Sequence, residues 1–597
     1  MAMTSALLGV EQSLTGRAWR DRLDDGGQAQ ALTFVQQFGL SDLLARVLAG
    51  RGVKATDLPA YLEPRLRDLM PDPSMITAMD RAAERLAEAI IGQENIGIFG
   101  DYDVDGACSV ALLAGFLDQI GVKRQIHIPD RLIEGYGPNS EAVRAFHAAC
   151  AHLMVTVDCG TTSHEPIEEA NRLGMDCLVL DHHQAPVSLP DAYAIVNPNR
   201  QDDLSGLGHL CAAGVVFMTL IAVTRVLRQR GYWQARGGEP DLMAFLDLVA
   251  LGTVADVVPL RGLNRAFVRQ GLQIVRARSR LGLRALADSA RVDGPITPFH
   301  LGFLLGPRIN AGGRIGDAAL GAKLLLSGDE AEAVAIASRL EGLNKDRQSI
   351  EAQMVQEAEA EALVALGLDE ERGNVLVTAS RNWHPGVVGL VAARLKERFR
   401  RPAFAIALDG QGAGTGSGRS VPGVDLGRAV RMAVEAGIVI KGGGHAMAAG
   451  VTVREDRIDA FRLFLEHDLG EASSSHREEN LLEIDGVVSA GHVNGALLAD
   501  LERAGPFGSA QPEPLFVLPS HQLMDSALVG TNHVRARFRS PDGATIGGIS
   551  FRSAETALGE ALLKCKGARF HLAGHLAIDR YGGGERPQIR LVDAAKV

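Results

Sequence analysis

Cysteine is scarce in this chain, six in 597 residues. Cys108, Cys150, Cys159, Cys177, Cys211 and Cys565 form no CxxC pair, and five of the six lie in one half of the sequence. That spacing excludes a disulfide framework and a thiolate zinc site, and leaves reduced core thiols. Aromatic residues are few as well, at 5%, and no segment stands out as a surface on which bases would stack. A surplus of positive charge is also missing. The net charge of −11 excludes a generally basic nucleic-acid coat protein, although a local basic channel depends on distribution rather than on the total. The N-terminal string MAMTSALLGVEQSLTG has no basic region followed by a long apolar stretch. The longest apolar runs are interrupted by Gly, Asp or Arg, short of the roughly 18 residues that a spanning helix needs. The expectation is a chain without a membrane span, located in the cytoplasm.

What is present is a globular composition, with 46% hydrophobic and 22% charged residues. A single hydrophobic core stops growing well below this length, so about three to five domains are expected. Residues 1–75 read as short helices, such as LSDLLARVLAGRG, closed by Pro64, Pro71 and Pro73. Residues 76–265 alternate strand and helix. NIGIFGDYD, RQIHIPD, HLMVTVDCG and DCLVLDHH read as strands, which implies a mostly parallel sheet with crossover helices. Residues 266–370 form a connector. Its core, DEAEAVAIASRLEGLNKDRQSIEAQMVQEAEAEALVAL, lacks Pro and reads as a long helix within about 320–366, with a candidate break at Gly342 and no sustained heptad. Residues 371–470 return to an α/β pattern containing the Gly-rich runs DGQGAGTGSGRSVPG and KGGGHAMAAG. Many of the 68 glycines sit in runs that read as loops meeting a ligand. Residues 471–597 carry short runs punctuated by Gly and Pro, an all-β signature whose expected form is a small barrel.

The chemistry concentrates at strand ends. Asp101, Asp103 and Asp105 in GDYDVDG are three carboxylates at alternate positions after an apolar strand. They repel one another at neutral pH, and hard divalent cations with oxygen ligands are the natural compensation. A calcium-binding EF-hand is excluded, because position 12 of a loop starting at Asp101 is Leu112 rather than Glu. Asp158 ends HLMVTVDCG, and Asp181, His182 and His183 end DCLVLDHH. In an open parallel sheet these strand ends share one edge, where ligands bind. Asp256, within the apolar LGTVADVVPL, is a fourth candidate, since an Asp there is costly unless paired or metal-bound. A set rich in Asp, with one or two imidazoles and no thiolate, favours Mn²⁺ or Mg²⁺, and two ions sharing carboxylates suit attack of water on phosphate.

These strings resemble the motifs of the DHH phosphoesterase superfamily. Asp181-His182-His183 matches its signature tripeptide, and GDYDVDG, VTVDCG and GTVADVVPL match its other motifs in order. GGGHAMAAG resembles the associated DHHA1 substrate-binding domain. GPRINAGGRIGDA, RNWHPGVVGLVAARL, SGRS and GPFGSAQPEP point to the branch of single-strand-specific DNA exonucleases. The resemblance runs from about residue 45 onward. It implies metal ligands at Asp103, Asp105, Asp158, His182 and Asp256, with Asp101 joining or supporting them. It implies catalytic roles for Asp101, Asp158, Asp181 and His183. Several relatives acting on small phosphate esters carry a ligand His where this chain has Phe99, and the all-aspartate version belongs to the exonuclease branch.

Arg308, Asn310 and Arg314 lie in a Gly-dense stretch read as a loop, and Arg381, His384, Arg419, Ser420 and His445 lie in the second α/β unit. Arginine forks and close-approaching backbone N–H groups suit phosphate, so these residues are candidates for DNA or phosphate binding. Arg535, Arg537 and Arg539 alternate, which in a strand puts them on one face, able to track a phosphate backbone. The expected fold is a multidomain α/β protein with a parallel-sheet DHH catalytic domain, a long helical connector, a smaller α/β DHHA1 domain and a C-terminal OB-like β-barrel. The expected activity is that of a 5′-to-3′ single-stranded-DNA exonuclease using two Mn²⁺ or Mg²⁺ ions in recombination and repair. The resemblance suggests a single-strand-binding protein and a RecQ-type helicase as partners. A phosphodiesterase of short oligonucleotides or cyclic dinucleotides is the alternative, and a catalytically dead scaffold is a third reading that the intact acidic cluster opposes.

Overall fold

The computed structural model describes residues 6–131, 133–367, 373–478, 480–579 and 586–597. The expected boundary at 370/371 and the first five residues of the N-terminal reading lie outside them. The chain divides into two compact units, one of Met70–Pro259 with Leu263–Glu478, the other of Met1–Leu69 and Glu479–Val597 with Leu260–Gly262.

The larger unit holds the alternating pattern. Its first sheet has five strands in the order Arg124–His127, Ile96–Gly100, Leu153–Val157, Asp176–Leu180, Ala194–Val196, all pairs parallel. Every residue of Ile96–Gly100 and Leu153–Val157 is buried, as continuous apolar runs in a sheet covered on both faces should be. The helices Val104–Gln119, Ala212–Gln229 and Leu246–Ala255 are mostly buried as well. Ala212–Gln229 is long and apolar enough to cross a membrane, contrary to the expectation that every apolar run stops short. However, 78% of it is buried inside the protein, where it serves as a core helix.

The connector helix runs unbroken over the 37 residues Glu330–Leu366, beginning later than expected, after a separate short helix, Leu320–Leu326. The candidate break at Gly342 does not occur. The buried stripe Ala333, Ala337, Leu340, Asn344, Arg347, Glu351, Met354, Ala358, Ala362, Leu366 steps by three and four residues throughout, one face of a continuous helix. Gly342 falls outside the stripe with open space around it, and its cost of about 1 kcal/mol is too small to break such a helix.

The Gly-dense stretch around Asn310 is a helix, Gly306–Ile315, rather than a loop. Its glycines serve close packing. A Cβ at Gly313 would lie 2.5 Å from the Tyr102 carbonyl oxygen, and one at Gly312 would lie 2.8 Å from the Asp317 carbonyl oxygen. The Gly-rich runs of the second α/β region are strands as well, Ala413–Arg419 and Lys441–His445, in a five-stranded sheet with Ala448–Arg454, Ala403–Leu408 and Leu376–Ser380. There a Cβ at Gly416 would come 2.8 Å from Ile406 Cγ1, so glycine lets neighbouring side chains crowd the sheet.

The smaller unit is built on a closed barrel. Strands Phe516–Val529, His533–Arg539, Thr545–Ser550, Arg586–Lys596 and Arg569–Asp579 pair in that order, and the last returns to the first. Closure removes exposed sheet edges. Arg535, Arg537 and Arg539 are exposed while Val534, Ala536 and Phe538 are buried, the alternation expected of one basic face. The N-terminal segment is more than short helices. Its strand Ala18–Asp21 pairs in parallel with Leu481–Ile484, and buried Trp19 donates from Nε1 to Asp593 Oδ2 at 2.9 Å.

Candidate metal centre

In the five-stranded parallel sheet, Gly100 is in register with Val157, and Val157 with Leu180. The residues that follow these three, Asp101, Asp158 and Asp181, therefore leave adjacent strands in one row. Each is buried, at 4%, 1% and 1% exposure. Asp158 holds a positive φ of 62°, a left-handed conformation that costs energy in a non-glycine residue and concentrates at functional sites.

The remaining groups arrive from helix ends. Asp103 caps the N-terminus of Val104–Gln119 by accepting from the Gly106 N–H at 3.0 Å. Asp105 lies in the first turn of that helix and accepts from the Ala212 and Ala213 N–H groups at 2.6 and 3.0 Å, at the N-terminus of Ala212–Gln229. Asp256 caps the C-terminus of Leu246–Ala255. Two glycines make room: a Cβ at Gly106 would meet the Asp101 backbone oxygen at 2.5 Å, and one at Gly252 would meet Asp105 Oδ1 at 2.6 Å. His182 Nε2 sits at the centre, 3.3 Å from Asp158 Oδ1, 3.7 Å from Asp256 Oδ2 and 3.8 Å from Asp105 Oδ2.

Three overlapping groups of ligand atoms lie within 4.8 Å of one another: Asp101, Asp103 and Asp158; Asp105, His182 and Asp256; Asp158, His182 and His183. Two buried oxygens here, Asp101 Oδ1 and Asp158 Oδ1, accept no hydrogen bond. Burial pushes the Asp158 carboxyl well above its ordinary range, and Asp105, Asp103, Asp101 and Asp256 push it further. Burial, then Asp105 and Asp103, raise Asp256 to about 9. Burial and Asp103 raise Asp101, and burial raises Asp105 against the pull of His182. Carboxylates this crowded and under-bonded call for cations, and the all-oxygen and imidazole donor set fits Mn²⁺ or Mg²⁺.

Asp181 differs. Its Oδ1 accepts from the His182 N–H, the His183 N–H and His183 Nδ1 at 2.7, 3.2 and 2.8 Å, and its Oδ2 from the Thr161 N–H at 3.1 Å. Burial works to raise its pKa, but His183 and Thr161 override burial and hold it below the usual range. Burial likewise opposes charge on His183, and Asp181 outweighs it, pushing that imidazole up to about 9. The Asp181 carboxylate therefore holds the histidine turn in shape.

Facing the acids is a group of cations. Arg314 donates to the Gly386 carbonyl at 3.2 Å, and Gly386 N–H in turn donates to His384 Nδ1 at 3.1 Å. Burial lowers the Arg314 pKa to about 10, helped by Arg131, Arg419 and Arg347 beside it. Burial and Arg131 lower Arg419, and burial, Arg419 and His183 lower His445. Arg131, Arg314, Arg419 and His445 thus gather opposite the carboxylates, and Asn310, on the helix that carries Arg314, accepts from the Val104 N–H next to Asp103 at 3.2 Å.

Residues 95–253 match the DHH family N-terminal domain, 335–471 the DHHA1 domain and 484–593 the RecJ OB domain. The chain is 39% identical to the single-stranded-DNA-specific exonuclease RecJ of Dickeya dadantii (strain 3937), over 86% of this chain and 89% of that protein. The chain belongs to the RecJ family. Identity to the RecJ of Escherichia coli (strain K12) is 37%, over 92% of this chain and 95% of that one. The fold is similar to the crystal structure of RecJ in complex with Mn²⁺ from Thermus thermophilus, with a TM-score of 0.77 and 28% identity, covering 97% of this chain and 79% of that one.

Not every expected residue of this RecJ-family chain meets the cluster. Arg308 is tied to Glu341 at 2.6 Å, exposed Arg381 to Glu455 at 2.6 Å, and buried Ser420 gives its hydroxyl to the Val424 carbonyl at 2.6 Å. Conversely, the sequence reading passed over Arg131, whose guanidinium lies 5.2 Å from the Tyr102 ring centre. It also passed over Tyr136, whose hydroxyl donates to the Asp158 carbonyl at 3.2 Å and lies 3.1 Å from His183 Nδ1. Both come after the strand Arg124–His127 but four and nine residues beyond its end, so a rule that takes the residue directly after a strand, as at Asp101, does not reach them. Asn197 and Asn199 follow the short strand Ala194–Val196 and hold the carbonyls of His183 and His182 at 2.9 and 2.5 Å.

Proposed function

We propose that this chain is a metal-dependent exodeoxyribonuclease that hydrolyses phosphodiester bonds of single-stranded DNA from the 5′ end and releases mononucleotides. The observation that carries the reading is the pair of buried, unbonded carboxylate oxygens of Asp101 and Asp158, set opposite Arg131, Arg314 and Arg419. Asp101, Asp103 and Asp158 would hold one Mn²⁺ or Mg²⁺ ion, and Asp105, His182 and Asp256 a second. When bound, such ions would supply Lewis-acid polarisation of the phosphate and a water made more acidic at neutral pH.

The chain's own residues do the positioning. Arg131, Arg314 and Arg419 grip the terminal phosphate, because a guanidinium offers a fixed fork of donors to phosphate oxygens. His445 and His384 border that grip. Asp181 positions His183 toward the scissile phosphate, while Asn197 and Asn199 fix the backbone of the histidine pair. The DHHA1 region at 371–470 grips the terminal nucleotide, and the exposed face Arg535–Arg537–Arg539 of the barrel region at 471–597 tracks the strand. The connector, 266–370, links the two α/β regions, and of the N-terminal residues 1–75 those up to Leu69 belong with the barrel. The alternative substrate, a short oligonucleotide or cyclic dinucleotide, gives the barrel nothing to do. We extend the proposal to a place in DNA recombination and repair, a cytoplasmic location, and a single-strand-binding protein and a RecQ-type helicase as partners.

The deciding assay incubates the protein with Mn²⁺ and four substrates: 5′-labelled single strand, 3′-labelled single strand, duplex and dinucleotide. Immediate release of labelled mononucleotide from the 5′-labelled single strand, with the 3′ label released last and the duplex spared, is the expected result. Cleavage of the dinucleotide alone would overturn it.

A further inference from the structure

Among the described residues, Phe299 and Phe303 form a stacked phenylalanine pair left in solvent. Phe299 and Phe303 are 53% and 71% exposed, and their rings stack on each other at 5.2 Å with an interplanar angle of 24°. Phe303 is the most exposed of the chain's phenylalanines. His300 packs edge-on against Phe299 at 5.9 Å. The pair rides on the π-helical turn His300–Leu305, a geometry uncommon in proteins and frequent at functional sites. A stacked, solvent-facing pair contributes little burial to the fold, and a contiguous exposed apolar patch marks a binding surface.

Its place ties it to the metal centre. A Cβ at Gly302 would lie 3.3 Å from Val254 Cγ1, and one at Gly306 would lie 3.4 Å from Ala255 Cβ, the two residues before Asp256. The same helical run continues into Gly306–Ile315 and reaches Asn310 and Arg314. The local charge also fits. From Leu263 to Leu305 the chain has seven Arg, two Asp and no Lys or Glu, within a protein of net charge −11. Arg278, Arg280 and Arg284 are engaged by Asp288, Asp247 and Glu330. Arg276 and Arg291 are exposed, and Arg276 donates from Nε to the Ile296 carbonyl at 2.9 Å, three residues before Phe299.

We infer that Phe299 and Phe303 form a shelf on which unpaired bases of the DNA strand stack beside the metal centre, with Arg276 and Arg291 flanking its phosphates. The inference rests on the single-stranded-DNA reading above and adds a source of strand selection. Bases in a duplex already stack within the helix and cannot offer their faces to a protein shelf, whereas every unpaired base has a face to offer, whatever its sequence.

The test uses the full-length protein, the double variant Phe299→Ala/Phe303→Ala and the single variant Phe303→Trp. The probes are a fluorescent oligothymidylate and a strand of equal length with an abasic backbone. Binding is read by anisotropy without divalent metal, and kcat and KM with Mn²⁺. The double variant should bind oligothymidylate about ten-fold more weakly and raise KM to match, with kcat within about two-fold. Its affinity for the abasic strand should equal that of the wild type, and Phe303→Trp should bind oligothymidylate as the wild type does. Unchanged affinity for oligothymidylate, or an equal loss on both strands, would overturn the shelf. If the wild type binds but does not degrade the strand, the exonuclease reading fails while the anisotropy comparison still decides the shelf.

Discussion

Asp158, in the candidate metal centre, and Asp485, in the smaller unit, are equally buried, each at 1% exposure, yet they are opposite kinds of carboxylate. Asp485 accepts from Arg22 Nε at 2.9 Å, Arg51 Nη1 at 3.0 Å and the Leu515 N–H at 2.8 Å. Two guanidinium groups balance its charge. Asp158 leaves Oδ1 unbonded and faces four other carboxylates. Burial alone therefore does not mark a functional acid. What marks it is burial with donors withheld and like charges gathered, an arrangement that only an added cation makes favourable.

The sharpest break of that comparison is to remove each acid in turn. Asp158→Ala should reduce kcat by on the order of 10⁴-fold, while single-strand binding, carried by arginines elsewhere, stays within a few-fold. Its metal-free melting temperature should not fall, because a repulsive charge has gone, and the stabilisation expected of Mn²⁺ in the wild type, about 2.7 kcal/mol at a hundred times Kd, should largely vanish. Retained activity would remove Asp158 from the ligand set. Asp485→Ala should do the reverse. It leaves buried Arg51 without its carboxylate, while Arg22 keeps Glu483, and should cost about 3–5 kcal/mol of stability in urea melts, with kcat unchanged below the transition.

The comparison also shows what a sequence can reveal. Asp101, Asp158 and Asp181 were legible because each ends a fully apolar strand, and parallel register brings such ends into one row. Arg131 and Tyr136 were not, because they lie four and nine residues beyond the strand Arg124–His127, which was itself legible, rather than directly at its end. Ala194–Val196 is too short at three residues to signal the asparagines after it. The connector's stripe was hidden because Asn344, Arg347 and Glu351 occupy buried positions, paired with one another. The glycines of 306–315 and 413–419 read as loops because their reason lies in tertiary contacts, with Tyr102 and Ile406. The barrel's exposed arginines followed simple alternation and were read correctly.

The cations repeat the contrast with smaller consequences. Arg280 is matched by Asp247, with Nε–Oδ2 at 2.6 Å, whereas Arg314 stands among Arg131, Arg419 and Arg347. Arg314→Ala should raise KM for 5′-phosphorylated strands by the worth of a charged hydrogen bond, about 1.5–3 kcal/mol or roughly ten- to hundred-fold, and should leave the melting temperature unchanged or higher. The same change at Arg280 should lower stability and spare KM. A KM that fails to respond at Arg314 would separate the arginine group from the substrate phosphate.

The smallest expected effect is at Arg537 on the barrel. Its pair with Asp525, at 2.6 Å, has both side chains half or more exposed, so Arg537→Ala should change stability by less than about 1 kcal/mol. The informative readout is salt. A guanidinium that contacts a phosphate displaces a counterion, so the slope of log affinity against log salt for a single strand should shrink by about 0.7 when it is removed. Asp525→Ala should move affinity the other way, because it frees the guanidinium for phosphate. A slope identical to that of the wild type in both variants would make the Arg535–Arg537–Arg539 face a solvated surface and leave strand tracking to the larger unit, where the matched and unmatched charges already differ most.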